Sequence, residues 1–540
     1  MKSSIHYVCI TLLAIGFSLG CQPLEDEDAM DMMGGMENTT QGGEEMMEGM
    51  MGEMNESGGP FEDLAYCTGA EGERAVAPDN DVGISLPAER ACLNVHFTKV
   101  FQSAMGEFVP VGLESDSQGN LYFTGMTKGF LDTTYGDILV VKADSEGNLI
   151  WFKTYGTAEG DGYGQDGVYD PSSGAMHMIA IDDSDHVYIA ANTNSRSRDN
   201  GTLFKLDANG EEIWSVSLEE ELPSKRHMFH GVSVKNGVAH VVGSRALYAF
   251  NTEDGSLLNA FGIKLAGPQS RSLAVLASDD GIYVGGWAGF SGDDDGILLK
   301  VAFDGSAYNL VWKKRVPLSR GSKIGALAQD DEGSIYAGVN IAGATNVSIE
   351  LQKWSSDGDL TWVRRYGDSL SSRMNVVQYI DGQIMVGGMT HYPGTATFSE
   401  SAGEGLVLMV NTDGTLAREH YYFTGTNPVS IDSVKGIAHV DGHLFVVFDH
   451  AKAANFGEWR NPNDYDVLEH PWVEVNPAEY LVRDAEELVH EEVEVNLSEA
   501  PGSWSDLTAN LIVVDAAEGA DNRPSNTSAA YFSRLNDYFK

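Results

Sequence analysis

Between Leu93 and Glu518 the chain alternates short polar turns of Asp, Asn and Gly with continuous apolar runs, and one run returns seven times in altered form. It reads NLYFTG at Leu121, HVYIAA at Val187, GVAHVVG at Val238, GIYVGG at Ile282, SIYAG at Ile335, QIMVGG at Ile384 and HLFVVF at Leu444. The spacings of 66, 51, 44, 53, 49 and 60 residues vary around a constant core, so the connecting loops differ while the packed unit does not. A second apolar run follows each anchor and ends in another Asp/Gly turn, as in DILVVKADSEGN and GTLFKLDANGE. A third run comes next, often with Trp: Trp151, Trp214, Trp312 and Trp362. With the strand before each anchor turn, for example MHMIAIDD or IGALAQDD, every unit holds four strands.

Apolar runs that do not alternate suit strands buried on both faces, and such units cover their faces only by stacking on one another. Four hairpin-connected antiparallel strands per unit predict a blade, and seven units predict an all-β, seven-bladed β-propeller. A β-solenoid has shorter coils and lacks the repeated tight hairpins. The last unit, with IAHVDG, HLFVVF and NLIVVDAAEG, lacks an outermost strand. LNVHFTKVFQS, from Leu93 to Ser103, resembles the outer strands LIWFKTYGT and LTWVRRYGD, so the N-terminal strand is expected to close the ring and remove an open edge. The tail AAYFSRLNDYFK is the alternative closing strand.

An Asp-Gly turn, Tyr and Gly in the second strand, a D-x-V-x-K-x-D-like third strand and Trp in the fourth resemble the bacterial seven-bladed β-propeller repeat of secreted and surface proteins. The pattern is also distantly similar to the propellers of quinone-dependent dehydrogenases and of the lipoprotein in outer-membrane protein assembly. The resemblance covers about Leu93 to Glu518, and because its motifs are structural it implies a fold and a surface location but no reaction.

The N-terminus supplies an address. Lys2, the apolar stretch IHYVCITLLAIGFSLG and Cys21 read as a signal peptide (1–20), too short to span a membrane. SLGC resembles a lipoprotein processing site at which Cys21 is acylated, although Ser18 stands where Leu is usual. Cys9 leaves with the leader, so Cys67 and Cys92 remain as a disulfide pair closing segment 67–92. Gln22 after the lipidated Cys favours the outer membrane, with the protein facing the periplasm or the surface. Segment 21–66 carries thirteen Asp/Glu and no Lys or Arg, the composition of an extended tether. Nine of the nineteen Met residues fall between Met30 and Met54, an arrangement that can hold Cu(I), against the plainer reading of a low-complexity linker.

The net charge of −46 argues against nucleic acid or anionic headgroups as partners, leaving the lipid anchor as the membrane contact and an envelope protein, peptide or glycan as the partner class. Within the propeller domain (93–540), acid is concentrated in an insertion, 451–508, with fourteen acids against Lys452, Arg460 and Arg483. There NPAEYLVRDAEELVHEE, capped by Asn476 with Pro477 in the first turn and Leu481, Ala485 and Leu488 on one face, predicts a helix.

Short Asp/Gly turns emerge on one face of a propeller. The long irregular links emerge on the other, which is the expected binding face. At its channel mouth stand Lys225 and Arg226, Arg271, Lys323, Arg373 and Lys435, in blades three to seven, with His227 and His230 nearby. They form either a cationic rim for an anionic ligand such as a carboxylate or acidic sugar, or a rim that pairs with the acidic insertion as a lid. Asp161, Asp166 and Asp170, and Asp293, Asp294 and Asp295, lie in oxygen-rich, Gly-loosened stretches of the kind calcium accepts, although ordinary turns use the same residues. No GxSxG elbow occurs outside the leader, where GFSLG (Gly16–Gly20) matches by spacing alone, and SSDGDLTW at Ser355 shifts the Gly of a sialidase box. The expectation is a non-catalytic binding or scaffold lipoprotein, then an outer-membrane assembly or envelope accessory factor, with a hydrolase or quinone-type oxidoreductase last.

Overall fold

The computed structural model describes most of residues 95–535; the main internal stretches outside the described residues are 129–135, 157–160, 162–176, 194–199, 220–227, 391–403, 423–429, 453–471 and 516–526. The expected leader, the tether with its Met cluster, Cys21, Cys67 and Cys92 all lie outside the described residues.

Seven antiparallel sheets form the ring of a β-propeller. From the channel outward, blade 1 is Phe108–Ser115, Leu121–Lys128, Gly136–Ala143 and Leu149–Gly156, and blade 2 is Ile179–Ile181, Val187–Thr193, Asn200–Leu206 and Glu212–Glu219. Blade 3 is Phe229–Lys235, Val238–Gly243, Ala246–Asn251 and Leu257–Leu265, and blade 4 is Ser270–Ser278, Gly281–Phe290, Asp293–Phe303 and Tyr308–Val316. Blade 5 is Ser322–Gln329, Ile335–Ala342, Val347–Trp354 and Leu360–Tyr366, and blade 6 is Arg373–Ile380, Gln383–Thr390, Glu404–Asn411 and Leu416–Tyr422. All seven anchor runs become second strands, because each follows a turn that reverses the chain tightly. Asn236-Gly237, Asp381-Gly382 and Asp441-Gly442 have φ positive at both residues, the geometry that two-residue hairpins require.

Blade 7 closes the ring with both ends of the chain. Its order is Ser430–Val440, His443–Lys452, Thr527–Leu535, Val95–Ser103 and Leu511–Asp515. The N-terminal strand therefore completes the last blade as expected. The third strand, however, is the C-terminal tail, and NLIVVDAAEG lies outside the closing strand. The reason is packing: Phe532 stacks on Phe445 at 5.6 Å and on Phe123 of blade 1 at 5.9 Å, while Phe101 meets Phe123 edge-on at 5.0 Å. A bulky aromatic set fills the seam between the last blade and the first, where NLIVVD offers only aliphatic side chains.

The insertion corrects the sequence reading most. The expected helix is absent: Asn476 follows a strand, Leu488 lies in one, and Ala485 is buried in the core. Six short strands are laid instead on the outer edges of successive blades: Trp472–Val475 on blade 5, Arg483–Asp484 on blade 4, Leu488–Glu492 on blade 3, Asn496–Ser498 on blade 2, Ser503–Ser505 on blade 1 and Leu511–Asp515 on blade 7. The belt runs against the blade order and adds a fifth strand wherever it touches. Unpaired N–H and C=O groups on the outer strands offer bonding that a free helix does not, and this overrides local propensity. Trp504 anchors it against Tyr155 and Phe204, at 5.2 and 5.3 Å, and the Gly502 N–H donates to the Tyr155 hydroxyl at 2.6 Å.

The repeated Asp, Tyr, Lys and Trp tie neighbouring blades. In blade 1 the Tyr122 hydroxyl donates to Asp116 at 3.0 Å, Lys142 Nζ lies 3.2 Å from the same carboxylate, and Lys142 and Trp151 Nε1 both donate to the Ala208 carbonyl of blade 2 at 3.1 Å. Trp214 reaches Thr252, Trp312 reaches Ser356 and Trp362 reaches Thr412 in the same way. The chemistry that stands out most in the sequence is thus structural.

Candidate functional site

The innermost strands carry a one-residue bulge at a common level in six blades, at Val111, His230, Leu273, Gly325, Asn375 and Lys435. Arg271, Lys323 and Arg373 each stand two residues before it, opposite Trp287, Asn340 and Met389. Three adjacent blades thus present a cation at one register, where the chain enters from the irregular-loop side. The row is shorter than the sequence suggests. Lys435 is itself the bulged residue, two positions deeper and buried, and at the level of the cations blade 7 has Ser433. Lys225, Arg226 and His227 lie outside the described residues.

Glycine seats two of these cations. A Cβ on Gly286 would collide with the Arg271 carbonyl, and one on Gly388 with the Arg373 carbonyl, so the bulge can close down only on a bare Cα. Lys323 Nζ sits 5.1 Å over the Trp287 ring, a cation–π contact that fixes it at the mouth. Among the described residues Arg271 has no carboxylate partner. His230 stands behind the rim rather than on it: it is fully buried, with Nε2 3.0 Å from Ser244 Oγ. Burial first, and then the Arg271 charge, push its pKa down to about 3, so it stays neutral. Two buried polar atoms in this neighbourhood, His230 Nδ1 and Trp287 Nε1, have no hydrogen-bond partner. The indole N–H is an unused donor beside two cations, which suits an anion.

The lid reading of the rim draws no support from the described strands of the insertion, and 453–471 lie outside the described residues. The described strands of the acidic insertion pair with the outermost strands, at the opposite edge of each blade from the channel. The calcium candidates lie partly outside the described residues. Asp161 is fully buried with its N–H bonded to the Gly136 carbonyl, and Asp166 and Asp170 lie outside the described residues. Asp293, Asp294 and Asp295 begin a strand instead of forming a loop, and the Asp295 carboxylate is taken by Arg315. Among the described residues no three His, Cys, Asp or Glu side chains gather around a common point.

A second feature was missed from the sequence. The channel widens into a cavity of about 340 Å³ lined by the inner strands of blades 1 to 6. His177 Nε2 and Glu114 Oε1, from adjacent blades, meet in it at 2.6 Å. His177 lies in the apolar run MHMIAIDD and Glu114 just before an anchor turn, and only register brings them together.

No protein-family model matches the chain, and comparison with curated proteins finds no match. Among solved structures the chain is similar to the Pan2 WD40 domain of Neurospora crassa, at 8% identity over 64% of this chain and 92% of that one, with a TM-score of 0.37. A protein of unknown function from Dyadobacter fermentans is similar at 10% identity, covering 71% of this chain and 97% of that one, with a TM-score of 0.37. Drosophila Plexin A, in a structure with Semaphorin 1b, gives 9%, 66%, 86% and 0.39. These likenesses concern the fold alone.

Proposed function

We propose that the chain is a lipid-anchored protein of the bacterial cell envelope whose propeller is a non-catalytic binding platform, taking an anionic ligand at the channel mouth on the irregular-loop side. The observation that carries the ligand reading is the placement of Arg271, Lys323 and Arg373 at one register on three adjacent blades in a chain of net charge −46. Cations so scarce are not spent at equivalent positions by composition alone, and the unused Trp287 N–H beside them adds a donor. A rigid ring displaying variable loops fits a binding or scaffold role. The envelope address rests on Cys21 and the leader before it, and on the resemblance to surface repeats.

The test is an array of acidic and neutral glycans and of acidic and neutral peptides, probed with the wild type and with Arg271→Ala/Arg373→Ala. Retention of acidic probes by the wild type, and a loss of roughly tenfold or more in the double variant at unchanged melting temperature, are expected. Equal retention by both proteins sinks the ligand reading. Labelling with palmitate, present in the wild type and absent in Cys21→Ala, tests the anchor separately.

A further inference from the structure

We propose that the channel cavity is a second binding site, for a neutral pyranose sugar held by the carboxylate of Glu114 and the amide of Gln378. The lining residues run from the bulge level, at Gly325 and Asn375, to Gln329 and Tyr379 beside the Asp/Gly turns, where both are half-exposed. The cavity therefore opens on the short-turn face, at the opposite end of the channel from Arg271, Lys323 and Arg373. Some polar groups on its wall are already committed. Asn375 Nδ2 donates to Ser433 Oγ and the Val434 carbonyl at 2.8 and 2.7 Å, and Gln329 Nε2 donates to Asp280 at 3.0 Å. Glu114 and Gln378 keep capacity to spare. His177 Nε2 donates to Glu114 Oε1 at 2.6 Å and holds the carboxylate in place, while the other Glu114 oxygen and the Gln378 amide bond no described residue.

The composition of the wall selects the class of ligand. It carries one carboxylate and no Lys or Arg, so an anion meets repulsion and no cation. Polar and apolar groups share the surface, and a hydrocarbon would strip water from Glu114, His177 and Gln378 without replacing it. A metal ion would find two ligands, since no third His, Cys, Asp or Glu joins the pair among the described residues. A sugar answers both kinds of surface. Its hydroxyls donate to the free carboxylate oxygen in a charge-assisted bond, and they pair in either sense with an amide. Its C–H face needs apolar contact, which the half-buried Val275, Leu276 and Leu327 offer with the Tyr379 ring. The bond from the Tyr379 hydroxyl to Asp331, at 3.2 Å, fixes that ring. Hydroxyls on the far side stay in water, because the cavity is half open, and lose nothing by desolvation. The volume of about 340 Å³ has room for on the order of ten waters, enough for a single pyranose with its substituents.

The test is titration calorimetry of the full-length protein at neutral pH with the methyl α-pyranosides of glucose, galactose and mannose, against cyclohexanol, glucuronate and cyclohexylamine. Saturable binding of at least one pyranoside, at about 10 mM or tighter, is expected. Cyclohexanol lacks adjacent hydroxyls, glucuronate adds a negative charge, and cyclohexylamine offers one donor head to a wall with several polar groups. Each control should bind about tenfold more weakly or not at all. Glu114→Gln and Gln378→Ala should each weaken the pyranoside about fivefold or more. The mouth variant Arg271→Ala/Arg373→Ala should bind it normally, which separates this site from the anionic one. No saturation by any of the three sugars up to about 50 mM, a control that binds as tightly as the sugar, full sugar affinity in either channel variant, or its loss in the mouth variant overturns the proposal. Near-ultraviolet circular dichroism checks that each variant is folded. If Glu114→Gln is not, Gln378→Ala still decides, because that half-exposed side chain bonds no described residue.

Discussion

At the scale of single residues, most of the conspicuous chemistry of this chain stabilises the ring. The turn aspartates show it. Burial raises the Asp280 pKa, but hydrogen bonds from Ser278, Gln329, Tyr283 and Lys300 outweigh burial and hold the carboxyl at about 2. Asp116, Asp182 and Asp330 are lowered in the same way, against burial, by their turn and tyrosine partners. Their stabilisation is complete above the ordinary Asp value and disappears as pH falls from about 4 toward the folded value. The buried histidines act earlier. Burial lowers His240, whose Nδ1 is 2.6 Å from the Tyr308 hydroxyl, to about 4, and burial with Arg271 lowers His230 to about 3. Between about pH 6.5 and 4 the unfolded chain takes up protons that the folded chain refuses, so stability falls by up to roughly 1.4 kcal/mol per pH unit for each histidine. Urea unfolding at successive pH values should show this decline beginning before any carboxylate titrates, and His240→Gln should make it shallower. A decline that starts only below about pH 4 contradicts the burial of these imidazoles. Gly388→Ala should cost about 1–3 kcal/mol in the same assay, because the Arg373 carbonyl has to retreat from the new methyl.

At the scale of elements, second strands and turns were legible in the sequence because they are local. A strand two-sidedly buried after an Asn-Gly or Asp-Gly turn needs no distant partner to be recognised. The insertion was not legible. Leu481, Ala485 and Leu488 have helical spacing, yet the outer edges of six blades, which no local pattern reveals, draw the segment into strands. The exchange of roles between NLIVVDAAEG and the C-terminal tail has the same origin, since both are apolar and only the aromatic seam around Phe532 separates them. The cation row was half legible: the identity of Arg271, Lys323 and Arg373 could be read, but the bulge that sets Lys435 deeper could not. The Glu114–His177 pair joins two blades, so its members are unremarkable until register is known. Because the belt is held by short pairings, Trp504→Ala should loosen it locally, costing roughly 2 kcal/mol and raising amide exchange in 496–505 while the inner strands stay protected. Uniform exchange changes across all seven blades would contradict a belt that seats as a separate unit.

At the scale of the whole molecule, apolar clusters bridge the blades around the ring, so each sheet completes the core of its neighbours. Blade 7, assembled from both ends of the chain, is where closure is made or lost. Phe532→Ala should cost about 3–5 kcal/mol, since it removes rings from the seam shared by the C-terminal strand, the N-terminal strand and blade 1. The cavity and the cation row depend on this closure, because both are built from side chains that only the ring brings to one axis. Hydrogen exchange read by mass spectrometry on the intact protein addresses closure most directly. The account predicts that Val95–Ser103 and Thr527–Leu535 are protected as strongly as the inner strands of blades 2 to 5. Exchange of either segment at the rate of an unfolded chain would contradict it.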